Sequence, residues 1–282
     1  MARNDRGQTT GERRGARVRF SARTADRHAL YQLAVQSPVE DVRFLARIYR
    51  MLRGSEPRHL REDFCGTALL CAAWVRGRKP RTAEGFDISR ATLEWGRVHN
   101  FPPLGERVAH IRLHAADVRT PSARRPDVRC AQNFSYFVFK RRRELLAYFT
   151  SARRDLARGG VFVLDIYGGP EAMEEQVEER EIEGGFTYVW DQRRYVPATG
   201  AYEAHIHFRF RDGTELRRAF SYDWRLWTLP EVKDVLHEAG FRNVDSYWEG
   251  TDEDGEGGNG VFRRSERGEN CPAWVTYLVA YG

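Results

Sequence analysis

Residues 60–68, Leu-Arg-Glu-Asp-Phe-Cys-Gly-Thr-Ala, place an acid, a glycine turn and a hydroxyl within one short stretch. Their pattern predicts a strand running into a tight Cys65-Gly66-Thr67 turn, with a helix beginning at once in Ala68–Val75. Strand, glycine turn and helix N-terminus make a cradle for a nucleoside-bearing cofactor. The glycine lets the backbone approach the ligand, and the free N–H groups of the first helical turn face it. Two further acids follow strand-like segments: Asp87 in Gly85-Phe86-Asp87-Ile88-Ser89 and Asp117 in Ala115-Ala116-Asp117-Val118. In open parallel sheets ligands bind beyond the carboxyl ends of the strands. Glu62, Asp87, Asp117, Asn133 and Tyr167 all fall at or near such ends.

These motifs resemble those of the class I S-adenosylmethionine-dependent methyltransferases. That family's first motif is an acid, a variable residue and then Gly-x-Gly-x-Gly after strand one. Glu62 falls on the acidic position, Phe64 on the first glycine, Gly66 on the second and Ala68 on the third, so only the middle glycine is present. The family's acid for the ribose hydroxyls falls on Asp87, and its acid beside the adenine amine falls on Asp117. The resemblance extends through Leu156–Asp165 (helix end, glycine turn and fifth strand) and through Trp227–Phe241 (last helix, leading into strand six). It covers roughly residues 57–168 and 226–282. It implies S-adenosylmethionine as cofactor, held by Glu62, Phe64, Gly66, Thr67, Asp87, Ile88, Asp117, Val118 and Asn133.

Asn133-Phe134-Ser135-Tyr136-Phe137 follows strand four, where the family places residues facing the reacting methyl. Methyltransferases of exocyclic base amines carry Asn/Asp-Pro-Pro-Tyr/Phe there. Asn133 and Tyr136 match the outer positions, but Phe134 and Ser135 replace both prolines, which argues against base methylation. The resemblance makes Asn133, Tyr136 and Tyr167 the catalytic candidates; core packing is the other reading of Tyr136. Methyl transfer needs little acid–base chemistry beyond alignment, exclusion of water and, for amines, loss of a proton. Among residues for the acceptor, His205 shares a strand face with His207, which reads as a base or metal pair or as an exposed sheet face. Arg225 and Trp227 belong to the dense segment Tyr222–Trp227, which reads as a substrate wall with Arg225 for an anionic group or as packing of the insert onto the core. Tyr31 and Gln36 stand either as part of a cofactor lid or as a plainly packed helix.

Strands and helices alternate over residues 58–168, which predicts a Rossmann-like α/β fold with a mostly parallel sheet. Residues 171–225 break the rhythm with a charged helix over Glu171–Glu181 and then three strands, an antiparallel β insert between strand five and the last helix. The expected order is a basic flexible arm (1–23), N-terminal helices (24–56), the cofactor-binding core (57–170), a substrate-covering insert (171–225) and a C-terminal helix and strands (226–282). A long Gly-, Asp- and Glu-rich loop is expected over Glu249–Asn270.

The chain has 282 residues, 41% of them apolar and 12% aromatic, enough for a sizeable core. No apolar run reaches the roughly 18 residues of a membrane span, and the chain opens without the shape of a signal peptide, so a soluble cytoplasmic protein with no membrane partner is expected. Cys65, Cys71, Cys130 and Cys271 form no metal-ligand spacing, and the acidic loop from Glu249 lacks the ordered ligands of an EF-hand, so no metal is expected. Cys65 invites either packing beside the ligand or a redox role.

The net charge is +6, and residues 1–27 hold eight arginines against three acids. Such an arm reads as a solvated tail or as an anchor for nucleic acid. The expected activity is therefore methyl transfer to an N or O nucleophile on a small molecule. The alternatives are an RNA or protein methyltransferase anchored by the arm, and a non-catalytic S-adenosylmethionine or nucleoside binder. Oligomeric state and acceptor are not legible in the sequence.

Overall fold

The computed structural model describes residues 20–77, 79–251, 258–268 and 270–282. Two helices, α1 (Arg27–Val35) and α2 (Pro38–Arg53), precede the sheet. Asp26 caps α1 by accepting from the His28 and Ala29 N–H groups. Pro38 opens α2 and a left-handed Gly54 (φ 66°) closes it. The core then alternates: β1 (His59–Asp63), α3 (Leu69–Arg76), β2 (Thr82–Asp87), α4 (Arg90–His99), β3 (Ile111–Ala115), β4 (Val128–Ala131), α5 (Arg142–Asp155) and β5 (Val161–Gly168). A second sheet of β6 (Gln176–Ile182), β7 (Phe186–Val196), β8 (Ala201–Phe210) and β9 (Glu215–Arg225) interrupts it. The core resumes with α6 (Leu229–Glu238), β10 (Asn243–Thr251), β11 (Gly258–Arg264) and β12 (Trp274–Tyr281).

The main sheet runs β11-β10-β12-β5-β4-β1-β2-β3, and the insert is a sequential meander, β6-β7-β8-β9. Strands β1 to β5 pair in parallel, and β12 enters antiparallel between β5 and β10. The expected α/β class and antiparallel insert are therefore present. Helices α2 and α3 pack on one face of the main sheet, and α5 and α6 on the other.

Two expected elements differ. The Glu-rich stretch foreseen as a helix over Glu171–Glu181 is a short 3-10 turn, Pro170–Met173, followed by strand β6. Glutamate favours helix locally, but Gln176–Ile182 pairs residue for residue with Gln192–Phe186 of β7, and that ladder overrides propensity. The loop foreseen over Glu249–Asn270 is largely a hairpin, since β10 runs on to Thr251 and β11 returns from Gly258. Residues 252–257 lie outside the described residues, as does the arm over 1–19. Of the arm's foreseen extent, Phe20 packs edge-on against Phe186, and the Ala22 N–H donates to Thr214 Oγ1. No helix among the described residues is long and apolar enough to cross a membrane.

β1 is buried at all five positions although three carry charge. Its alternation sends Arg61 and Asp63 to the α5 face and Glu62 to the α3 face. On the α5 face, Arg61 pairs with Asp63 (2.7 Å) and Asp155 (2.9 Å), and Arg129 of β4 pairs with Asp63 (2.6 Å) and Asp155 (3.2 Å). The Tyr148 hydroxyl also donates to Asp63. Two guanidinium groups and two carboxylates balance, so the interior holds no net charge there. Both arginines also donate to the Val118 carbonyl, and Arg61 to the Thr120 carbonyl. No helix bridges β3 and β4; residues 116–127 are held by these bonds instead. Removing one partner strands a buried charge, so Asp63→Asn is expected to destabilise the fold by about 3–5 kcal/mol in urea unfolding. A loss below about 1 kcal/mol would show that the network is not needed for stability.

Candidate active site

The turn after β1 has its shape without the expected glycines. Phe64, Gly66 and Ala68 all lie in the left-handed region (φ 56°, 51° and 54°), so an aromatic and an alanine adopt the backbone that glycine would adopt freely. Such conformations cost a non-glycine residue about 1–2 kcal/mol each. Packing compensates: the Phe64 ring meets Tyr148 and Phe139 edge-on (5.7 and 6.0 Å), and Ala68 is fully buried. The Gly66 N–H donates to Asp87 Oδ2 (2.9 Å), and the Ser89 N–H to Asp87 Oδ1 (2.8 Å). Asp87 thus ties the first turn to the second. Thr67 is held from three sides: Gln32 donates to its hydroxyl (2.7 Å), Asn100 donates to its carbonyl (2.9 Å), and Gly96 of α4 lies against its backbone.

A small cavity of 180 Å³ opens where α2, β1, β4 and β5 converge. Asp41, Glu62 and Asp165 line it, and none of the three forms an ion pair among the described residues. Burial pushes Asp41 up to about 6, Asp165 to about 7 and Glu62 to about 8. Glu62 accepts from the Cys71 N–H and thiol, which offsets only part of its desolvation.

A second, larger cavity of 1120 Å³ lies between the main sheet and the insert. Tyr188, Trp190, Tyr222 and Trp224 of the insert form one wall, with Trp190 at 5.7 Å from Tyr222 and Tyr222 at 4.3 Å from Trp224. Trp248 and Trp274 stand in the facing wall, 5.1 Å apart. Tyr31 of α1 lines the cavity and packs on Phe220. Asn133 and Val35 line both cavities.

No protein-family model and no curated protein matches the chain. Solved structures do. An S-adenosylmethionine-dependent methyltransferase from Clostridium acetobutylicum ATCC 824 matches at TM-score 0.63 and 17% identity, over 90% of this chain and 97% of that one. CalS10, an amino pentose methyltransferase from Micromonospora echinaspora, matches at 0.64 and 20%, over 90% and 94%. The sugar N-methyltransferase KedS8 from Streptoalloteichus sp ATCC 53650 matches at 0.58 and 19%, over 100% of both. The fold is that of the S-adenosylmethionine-dependent methyltransferases.

Within this methyltransferase fold the candidate residues separate. Glu62, Gly66, Thr67 and Asp87 gather around the first turn, and Asn133 and Tyr167 reach the large cavity. Ile88 is 81% exposed beside Asp87. Asp117 is half-exposed and bound bidentately by Arg119 (2.8 and 2.6 Å), while Val118 is buried with its carbonyl on the two arginines. Tyr136, foreseen as catalytic, is fully buried against Phe137 and Phe149 and reaches neither cavity.

The acceptor candidates are corrected by strand alternation. Ile206 of β8 lines the cavity, so His205 and His207 lie on the opposite face, against Ser221 and Asp191. Tyr222 and Trp224 of β9 face the cavity, whereas Arg225 stacks over Trp227 (3.7 Å) and pairs with Glu231. Trp227 is buried and donates to the Phe139 carbonyl. Cys65 is buried and its thiol is pushed up by that burial, which fits packing rather than redox chemistry.

The sequence reading overlooked Asp41, Gln32, Asn100 and Gly96. Of these only Gly96 carries a signal, a glycine in the middle of a helix. A Cβ there would lie 2.2 Å from the Thr67 carbonyl oxygen. Gly96→Ala is therefore expected to displace the turn and weaken S-adenosylhomocysteine binding at least about tenfold, about 1.4 kcal/mol. Unchanged affinity in calorimetry would show the turn tolerates the shift.

The raised carboxyls predict a pH dependence. Their ordinary values are 3.8 and 4.5, so above those values the unfolded chain has released protons that the folded chain still holds. Stability present at low pH is then lost as pH rises through about 6, 7 and 8. The melting temperature of the ligand-free protein should fall between about pH 5 and about pH 8, and less steeply in Glu62→Gln. A flat or rising curve would contradict the desolvation of this cluster.

Proposed function

We propose that the chain transfers a methyl group from S-adenosylmethionine to a nitrogen or oxygen nucleophile of a small molecule held in the large cavity. The observation that carries this reading is the pair of cavities meeting at Asn133 and Val35, one small and acidic, the other large and aromatic. Methyl transfer needs that arrangement, because donor and acceptor must be held apart from water and brought into line.

The residues present suit the cofactor. Asp41 and Glu62, both without a cation among the described residues, and a buried Gln36 Oε1 without a hydrogen-bond partner there weight the lining of the small cavity toward acceptors. That lining complements a positively charged ligand. The cofactor would supply an electrophilic methyl on a positively charged sulfur. On this reading Glu62, Phe64, Gly66, Thr67, Ile88 and Val118 frame it, Asp87 takes the ribose hydroxyls and Asp117 the adenine amine.

Asn133, which lines both cavities, orients the nucleophile through its carboxamide. Tyr167 and Phe134, 4.6 Å apart, shape the floor beneath it. The aromatic insert wall excludes water and contacts the acceptor. Glu178, directly across from Trp190 in the β6–β7 ladder, is available to take the proton an amine releases. A small acceptor also agrees with solved relatives that are named for amino pentose, sugar and glycopeptide methylation.

Calorimetric titration with S-adenosylmethionine and S-adenosylhomocysteine tests the reading. Micromolar binding that is lost in Asp87→Ala is expected, followed by turnover on amine- or hydroxyl-bearing acceptors. Folded protein that binds neither ligand would sink it, and binding without turnover on any acceptor would favour the non-catalytic alternative.

A further inference from the structure

The turn after β4 is the one place among the described residues where two consecutive non-glycine residues are left-handed: Asn133 at φ 55° and Phe134 at φ 56°. Asparagine tolerates this region, but phenylalanine does not adopt it without support. The support comes from the neighbouring strand. In the β4–β5 ladder Ala131 pairs with Leu164, so Asp165 stands one residue beyond, beside the turn. Its Oδ2 accepts from the Asn133 N–H (2.7 Å) and its Oδ1 from the Phe134 N–H (2.9 Å). Asp165 is 94% buried by its 6% exposure, and no cation pairs with it among the described residues. Its carboxylate is committed to these two backbone donors. The carboxamide of Asn133 makes no hydrogen bond to the described residues, and the residue lines both cavities.

We propose that Asp165 is a positioning residue for methyl transfer: by bridging the Asn133 and Phe134 N–H groups it sets the left-handed turn that places the Asn133 carboxamide between cofactor and acceptor. The inference rests on the methyltransferase reading above and adds a residue that acts through Asn133. It separates two roles within the acidic cluster. Glu62 is held by the Cys71 N–H and thiol behind the first turn, whereas Asp165 builds the second turn.

The test is Asp165→Asn in the full chain. The amide keeps the volume and one acceptor oxygen but turns an NH₂ toward a backbone N–H, so one of the two bonds is lost. Amide hydrogen exchange at Asn133 and Phe134 is expected to accelerate at least about tenfold while Phe162, Val163 and Leu164 within β5 stay protected. S-adenosylhomocysteine affinity should stay within about threefold while kcat falls at least about tenfold, and adding Asn133→Ala should lower kcat little further. Asp165→Glu, which keeps both acceptors, should recover part of the exchange protection. Unchanged exchange at the two amides would overturn the proposal, as would unchanged kcat or a parallel loss of cofactor affinity. Wild-type protein without turnover would count against the activity, and the exchange result would still decide whether Asp165 holds the turn.

Discussion

The turns after β1 and β4 rest on a neutral block of four buried charges beneath those two strands. Arg61 and Arg129 are fully buried, which is tolerable only because Asp63 and Asp155 neutralise them and backbone carbonyls and the Ser122 hydroxyl accept hydrogen bonds from their other N–H groups. In a parallel sheet the connection from one strand to the next is usually a helix that buries its own apolar face. Here the β3–β4 connection has no helix, and the guanidinium groups do the work of that face. They capture the Val118 and Thr120 carbonyls, and Asp155 adds the Ser122 N–H. The stretch that carries Asp117 is thereby fixed against the core.

Above that block, two turns hold strained backbone in different ways. After β1 the strain at Phe64 and Ala68 is met by burial, one ring against Tyr148 and Phe139 and one methyl in the apolar core. After β4 it is met by a carboxylate on two N–H groups. Tyr148 connects the two layers, because its hydroxyl donates to Asp63 and its ring packs on Phe64. Helix α1 closes the arrangement from outside. Gln32 reaches Thr67 in the first turn, while Leu30 and Ala34 lie in the core of the insert and Arg180 of β6 donates to the Ala34 carbonyl. The insert and the turn after β1 therefore share one helix as a common wall.

Much of this was legible in residues 58–168. The strand–turn–helix pattern around Gly66, the acid at the end of β2 and the turn after β4 all stand where their spacing placed them. The missing glycines were legible only as a departure from the family pattern. Their consequence depended on whether distant rings could support Phe64, and Phe139 and Tyr148 are more than seventy residues away. The insert was legible as strands but not as a wall. A strand's two faces differ by one residue, so choosing Arg225 and Trp227 over Tyr222 and Trp224 required knowing which face meets the main sheet. His205 and His207 went to the wrong side for the same reason.

By itself, then, the sequence determined the α/β class, the strand–turn–helix order and the tight turn after β1, because these follow from local periodicity and from short-range turn chemistry. Only the tertiary structure decided that Tyr136 is core, that Glu171–Glu181 is mostly strand, that Asp41 joins Glu62 and Asp165, and that Asn133 stands between two cavities. Those outcomes depend on which segments, far apart in the chain, come to share one interior. Burial, strand pairing and desolvation act through space, and no local pattern records them.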